Sequence, residues 1–237
     1  MKPTTYSKIT SVLLGLIILS SCEKDIQGSG VTVEATSTAL TAEESSEGRV
    51  VVSDFIINMK EIKFDKLDSG SDDESADDES VYRDVKLEGP FELDLLNTDG
   101  PVSALGATID VPEGIYKEIE FDLHKGTSGK MAGKSILISG TIDGTPFEFW
   151  HEIDEEFEVD FTDSEHDIIV KNQNQLITID YELGTLLGSA SEVELTDAQD
   201  RNGNGVIEIN PHDTDGNQSI ARAIRENLRN AMRLIDK

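Results

Sequence analysis

The sequence predicts a mainly β fold: a two-sheet antiparallel β-sandwich, followed by a C-terminal loop and one amphipathic α-helix. Three observations carry that reading. Apolar residues recur at every second position in run after run, the period of a half-buried strand. Turn-forming clusters, Asp99-Gly100-Pro101, Pro112-Glu113-Gly114, Asp143-Gly144 and Asn172 to Asn174, separate the runs. The residues between the apolar positions are largely acidic, so each strand has one face for a core and one for water.

The chain has 237 residues, with 48 Asp and Glu against 20 Lys and Arg, a formal net charge of -28. Such a chain repels phosphate backbones, which excludes nucleic acid as a partner. A hydrophobic content of 37% with 29% charged residues still supports a packed core.

The N-terminus reads as an address. Lys2 and Lys8 precede the apolar run Val12 to Leu19, which is too short to span a bilayer, a task for about 20 residues. The run closes on Leu19-Ser20-Ser21-Cys22, and Cys22 is the only cysteine in the chain. This segment resembles the bacterial lipoprotein signal, in which the cysteine is lipidated and becomes N-terminal after residues 1–21 are removed. The resemblance implies a protein held on a membrane by acyl chains at Cys22, without a spanning segment. Glu23-Lys24-Asp25 resembles the short Lys/acidic signal that sends some gram-negative lipoproteins to the cell surface. The expected location is the outer membrane, with its surface and periplasmic faces both open.

Residues 22–48 are expected to be a flexible tether, since Gly28-Ser29-Gly30 and Thr36 to Gly48 are small, polar and acidic. The sandwich is expected over 49–187. Val51, Ser53, Phe55, Ile57 and Met59 alternate with Val52, Asp54 and Asn58. Phe91, Leu93 and Leu95 follow the same rule. Ile115, Ile119, Phe121 and Leu123 share one parity, while Tyr116, Glu118, Glu120, Asp122 and His124 share the other. Ile136, Ile138 and Ile142 continue the pattern, as do Phe147, Phe149 and Ile153, then Phe157, Val159 and Phe161, then Ile177, Ile179, Tyr181 and Leu183. Between the first two runs, Asp68 to Ser80 carries seven acidic side chains and reads as a solvated loop rather than a cation trap.

The stretches Phe91 to Asn97 and Val111 to Leu123, with their D-L-L strand and P-x-G-x-Y-x-x-I motif, carry a further resemblance. They resemble an uncharacterised family of bacterial lipoprotein domains with a transthyretin-like or carboxypeptidase-regulatory-like β-sandwich. The resemblance covers residues 49–185 and implies fold and location, with Gly114 in a turn and Tyr116 in packing.

Residues 188–237 hold the one motif with chemistry. Asp200-Arg-Asn202-Gly-Asn204-Gly205-Val206-Ile-Glu208 fits the first nine positions of an EF-hand-type calcium loop. Ca²⁺ takes about 6–8 hard oxygens, and side chains at alternate positions can curl around it while Gly permits the bend. Those roles fall to Asp200, Asn202, Asn204, the Val206 carbonyl and Glu208. Pro211 stands where a bidentate Glu belongs, so Asp213 or Asp215 would supply the missing carboxylate. The tandem oxygen-rich spacing resembles the loops of dockerin and thrombospondin type-3 repeats, with the weak affinity of extracellular modules, roughly 10⁻⁴–10⁻³ M. The other reading is an Asn-Gly turn in an acidic protein.

Beyond the loop, Ile220, Ile224, Leu228, Ala231 and Ile235 follow 4, 4, 3 and 4 spacing, the apolar stripe of a helix packed on the sandwich. Arg222, Arg225, Arg229 and Arg233 form a second stripe, read as neutralising nearby carboxylates. An upstream helical turn is expected from Ser191, with Glu194 completing a capping box.

The four histidines, His124, His151, His166 and His212, lack metal-ligand spacing, and no G-x-S-x-G or phosphate loop occurs. No enzyme is expected. Trp150 alternates away from Phe147 and Phe149, so it is either a ligand platform or a residue lying beneath the helix. Two functions remain: a lipid-anchored envelope binding or adhesion module with a protein or glycan partner and a Ca²⁺-braced loop, or a non-catalytic accessory lipoprotein of an envelope complex.

Overall fold

Alternating apolar residues build two β-sheets that enclose one hydrophobic core. The computed structural model describes residues 28–46, 48–66, 85–97, 100–101, 104–160, 168–170, 175–188 and 193–236. Residues 1–21, Cys22, the acidic run 68–80, His166, Asn172 to Asn174 and Ser191 lie outside the described residues.

The strands are β1 (Gly28–Thr38), β2 (Val50–Lys66), β3 (Val85–Asn97), β4 (Gly100–Pro101), β5 (Ala104–Pro112), β6 (Gly114–Leu123) and β7 (Ile136–Ile142). They continue with β8 (Thr145–His151), β9 (Glu156–Asp160), β10 (Ile168–Val170), β11 (Gln175–Glu182), β12 (Ile207–Ile209) and β13 (Met232–Asp236). Helices α1 (Leu183–Leu187) and α2 (Gln218–Asn227) complete the fold. The smaller sheet runs β13-β11-β1-β5, and the larger follows β10-β6-β2-β7-β8-β12.

Residues 22–48, expected to be a flexible tether, are instead ordered from Gly28 onward among the described residues. From Gly28 the chain is a strand in the middle of the smaller sheet, parallel to β11 and antiparallel to β5. Val31, Val33 and Ala35 are buried in the core, and Thr32, Glu34 and Thr36 point outward. The next segment, Thr41 to Ser46, is a helical turn closed by a capping box. The Thr41 N–H donates to Glu44 Oε2 (2.7 Å), and the Glu44 N–H donates to Thr41 Oγ1 (3.3 Å).

The larger sheet forks along β2. One edge of β2 pairs with β3, while the other pairs first with β7, from Val50 to Ile57, and then with β6, from Met59 to Lys66. Asn58 sits where the partners change. Its N–H donates to the Ser135 carbonyl (2.8 Å) and its Nδ2 to the His124 carbonyl (2.8 Å), while its own carbonyl accepts the His124 N–H (3.0 Å). The buried Asn58 side chain therefore satisfies the His124 carbonyl at the fork, while its main chain pairs with residues flanking both partner strands.

The alternation is correct strand by strand but not continuous, because bulges reverse the facing parity. A register shift between Val52 and Asp54 leaves Val50 buried and Val51 exposed before Phe55, Ile57 and Met59 turn inward. A second, between Met59 and Glu61, moves the inward set to Ile62 and Phe64. A third, between Asp65 and Lys66 against β6, buries Tyr116 and leaves Ile115 42% exposed, opposite to their expected faces. Tyr116 packs edge-on against Phe64 and donates its hydroxyl to the Pro112 carbonyl (2.8 Å), tying the strand back to the β5–β6 corner.

The C-terminal segment belongs to both sheets rather than being laid upon them. β12 pairs in parallel with β8, and β13 pairs with β11. The helix expected through Ile235 ends at Asn227, passes through a 3-10 turn at Leu228–Ala231 and becomes a strand. Ile224, Leu228 and Ala231 are buried as the helical stripe requires, but Met232 and Leu234 are then buried by alternation and Ile235 is exposed. The upstream turn is a 3-10 helix at Leu195–Asp197, without a side-chain cap from Glu194.

Because β1 is a central strand, a chain beginning at Ala39 should lose its cooperative thermal unfolding, whereas one beginning at Gly28 should keep the full-length melting temperature. Differential scanning calorimetry of the two chains distinguishes them, and identical transitions would return residues 28–38 to the status of a tether.

Candidate functional site

The loop from Gln199 to Asn217 is built from side chains that satisfy its own backbone. Asp200 opens it: Oδ1 accepts the N–H groups of Gly203 (2.7 Å) and Asn204 (3.2 Å), and Oδ2 accepts that of Gly205 (2.8 Å). Asn202 Oδ1 accepts the Asn204 N–H, and Asn204 Oδ1 accepts the Val206 N–H, each at 2.9 Å. These turns suit Asp and Asn, whose short side chains fold back onto the chain. Gly203 and Gly205 supply the positive φ angles, +73° and +89°, that the winding needs.

Asp213 and Asp215, expected to complete a cation site, face the protein instead. Asp213 is buried, and its Oδ1 accepts the N–H groups of Gly216 (2.7 Å) and Asn217 (3.0 Å), with Oδ2 on that of Asn210 (3.3 Å). Asp215 is 0% exposed; Oδ1 takes the Arg201 (3.1 Å) and Asn202 (2.9 Å) N–H groups, and Oδ2 takes that of Glu208 (2.9 Å). Asn217 adds bonds from its Nδ2 to the carbonyls of Gln199 (3.0 Å) and Glu208 (2.8 Å), and its Oδ1 accepts the Gln199 N–H (3.2 Å). The second oxygen-rich run thus clamps the first and fixes where α2 begins.

The outer side keeps a smaller oxygen set. Glu208 Oε2 receives Asn202 Nδ2 (3.1 Å) and the Thr214 hydroxyl (3.4 Å), with Asn204 Nδ2 3.5 Å from Oε1. Asp200, Asn202, Asn204, Glu208 and Thr214 stay outside the clamp and reach solvent. Among the described residues, no three His, Cys, Asp or Glu side chains gather into a group that could hold a metal ion by themselves. The set offers two carboxylates, Asp200 and Glu208, fewer charges than a tight Ca²⁺ site uses. Thr214 lies outside the loop motif, and only its place in the second run marks it as a neighbour of Glu208.

Trp150 points away from the main core, as its parity predicts, but it is not an open platform. It packs on a small cluster of Ile56, Met131 and Leu137, half-buried, with Lys134 Nζ 5.8 Å from its ring centroid and the His212 ring 6.1 Å away. Its acidic flank is engaged: Lys134 pairs with Glu148 (2.7 Å), and Glu152 lies 2.8 Å from His212 Nε2 and 3.7 Å from Lys125 Nζ. The bond from His212 holds the Glu152 carboxyl below its usual range.

The arginine stripe is spent in a similar way. Arg225 meets Glu155, Arg233 meets Glu182 (2.8 Å), and Arg229 lies over the Phe157 ring at 5.5 Å. Between α2 and the end of β8 a cleft of about 370 Å³ is lined in part by His151, Arg222, Arg225 and Glu226. Burial, then the Arg225 charge, lowers the His151 pKa, and its buried Nδ1 has no hydrogen-bond partner among the described residues. Arg222, Arg225 and Glu226 leave the lining with one excess positive charge, and Arg225 is engaged by Glu155.

The chain matches no protein-family model, no curated protein and no solved structure.

The clamp makes a graded prediction. Asp215→Ala leaves three backbone N–H groups without their acceptor and should cost at least ~3 kcal/mol, whereas Asp200→Ala, in the exposed part of the loop, should cost under about 1 kcal/mol. Urea denaturation of the two variants measures the difference; equal losses would mean that Asp215 is no more structural than Asp200.

Proposed function

We propose that the protein is a lipid-anchored, non-catalytic binding module of the cell envelope, held at the outer membrane by Cys22. The observation that carries this reading is the order of features in the chain. A charged n-region and the apolar run Val12 to Leu19 lead to the only cysteine, and the first strand of an acidic, β-rich domain begins at Gly28. No described helix is long and apolar enough to cross a membrane, and acyl chains at Cys22 would anchor the chain without one.

The binding surface is not a Trp150 platform, since that ring is already packed beneath Lys134 and beside His212. This favours protein contacts over stacking on a sugar, and it also keeps the accessory role in an envelope complex as the second reading. A weak calcium brace belongs to the proposal: Asp200, Glu208, Thr214 and the Val206 carbonyl would hold the ion, while Asp213 and Asp215 keep the loop's backbone in place.

Two measurements test the reading. Cys22→Ser should move the protein from the membrane fraction to the soluble fraction of cells; continued membrane association would refute lipid anchoring. In a thermal melt, about 10 mM Ca²⁺ should stabilise the fold by ~1.4–2.7 kcal/mol if the dissociation constant lies near 10⁻⁴–10⁻³ M. The rise of several degrees should vanish in Asp200→Ala. No rise in the natural protein would leave a loop held by its own hydrogen bonds alone.

A further inference from the structure

The position of the first strand fixes how a lipid-anchored chain must stand on its membrane. Five residues, Glu23 to Gln27, separate Cys22 from Gly28, where β1 begins. Fully extended, the six steps from Cys22 to Gly28 reach about 20 Å. β1 itself has 11 residues and spans roughly 33 Å. The anchor therefore cannot reach past the far end of the strand that follows it.

Strand register shows what lies at the near end. Gly28 pairs with Pro112, so the β5–β6 corner Pro112-Glu113-Gly114 sits beside the start of β1. Val31 pairs with Gln175, which places the start of β11 at the same end. Lys66, at the end of β2, pairs with Tyr116 just beyond the corner. Glu113 is exposed there, and next to it Ile115 is an apolar side chain left 42% exposed by the β-bulge. The opposite end holds the capped turn from Thr41 to Ser46, which joins β1 to β2, and the β7–β8 hairpin, whose Ile142 pairs with Val50.

Lying flat is disfavoured by charge. The outward face of the smaller sheet carries Glu34, Asp110 and Asp180 with Arg233 opposite Asp180, whereas the corner presents the single carboxylate Glu113, so lying flat on an anionic lipid surface brings more like charges together than standing on the corner.

We propose that the sandwich stands on the bilayer by its β5–β6 corner, with Glu113 and Ile115 at the lipid headgroups and the Thr41 to Ser46 turn facing away. This inference rests on lipidation of Cys22. The surface available to a partner is then the distal end, which carries the β1–β2 turn, and the flanks of the sandwich, not the corner.

The experiment uses the full lipidated chain in vesicles of phosphatidylcholine with anionic phosphatidylglycerol and a headgroup-nitroxide lipid. The sulfur of Cys22 is consumed by the lipid, so a cysteine introduced by Glu113→Cys or Ala42→Cys carries the only fluorophore. Both positions are exposed. Quenching by the nitroxide should be several-fold stronger at 113 than at 42. Inserting about 20 Gly/Ser residues between Gln27 and Gly28 should erase most of that contrast, because a flexible chain frees the domain to tumble. Equal quenching at both positions, stronger quenching at 42, or none at either while the protein still floats with the vesicles would overturn the orientation. Failure to float would overturn lipid anchoring itself, and the orientation with it.

Discussion

The pairing of β1 with β11 and β5 is the contact on which the rest of the fold depends. β5 and β11 do not pair with each other; β1 stands between them, antiparallel to one and parallel to the other. Without it the smaller sheet separates into an isolated strand and a two-stranded piece, and the core loses the lid formed by Val31, Val33 and Ala35. Two-stranded ribbons are marginal in water, so this is a cooperative dependence rather than a local one. The parallel pairing also joins residues near the start of the chain to residues about 140 positions later, as in the Thr38 hydroxyl bond to Asp180 (3.2 Å).

The C-terminal region extends the same logic. β13 covers the other edge of β11, α2 buries Ala221 and Ile224 against the sheet edge, and β12 adds to β8. The loop before α2 is positioned by Asp215 and Asn217, two buried polar side chains whose partners are almost all backbone groups. Buried polar groups that satisfy a loop's amides favour one conformation of it.

Much of this was legible in the sequence, and the failures have identifiable causes. Period-two runs located most strands and their core residues, from Phe55 through Tyr181. The parity reversals at Val51 and at Ile115 with Tyr116 were not legible, because a bulge is decided by the partner strand and leaves no mark in the run itself. Val31, Val33 and Ala35 alternate plainly, but the small, acidic residues around them masked the signal; the Thr41-x-x-Glu44 capping box was the stronger clue that this segment is ordered. At the C-terminus two periods overlap. Ile224, Leu228, Ala231 and Ile235 fit a helix, Met232 and Leu234 fit a strand, and the open edge of β11 decides between them. The Asp213 and Asp215 carboxylates looked like cation ligands because the amides they serve belong to a loop whose path only the fold defines.

The most direct test of this dependence is hydrogen–deuterium exchange of the β1 backbone, read by mass spectrometry on peptides covering residues 31–37. The N–H groups of a central strand should exchange only through global opening, with the same protection free energy as those of β11 at residues 176–181. Exchange of residues 31–37 at the rate of an unstructured peptide, while β11 remains protected, would contradict the central place given to β1 and to every contact built on it.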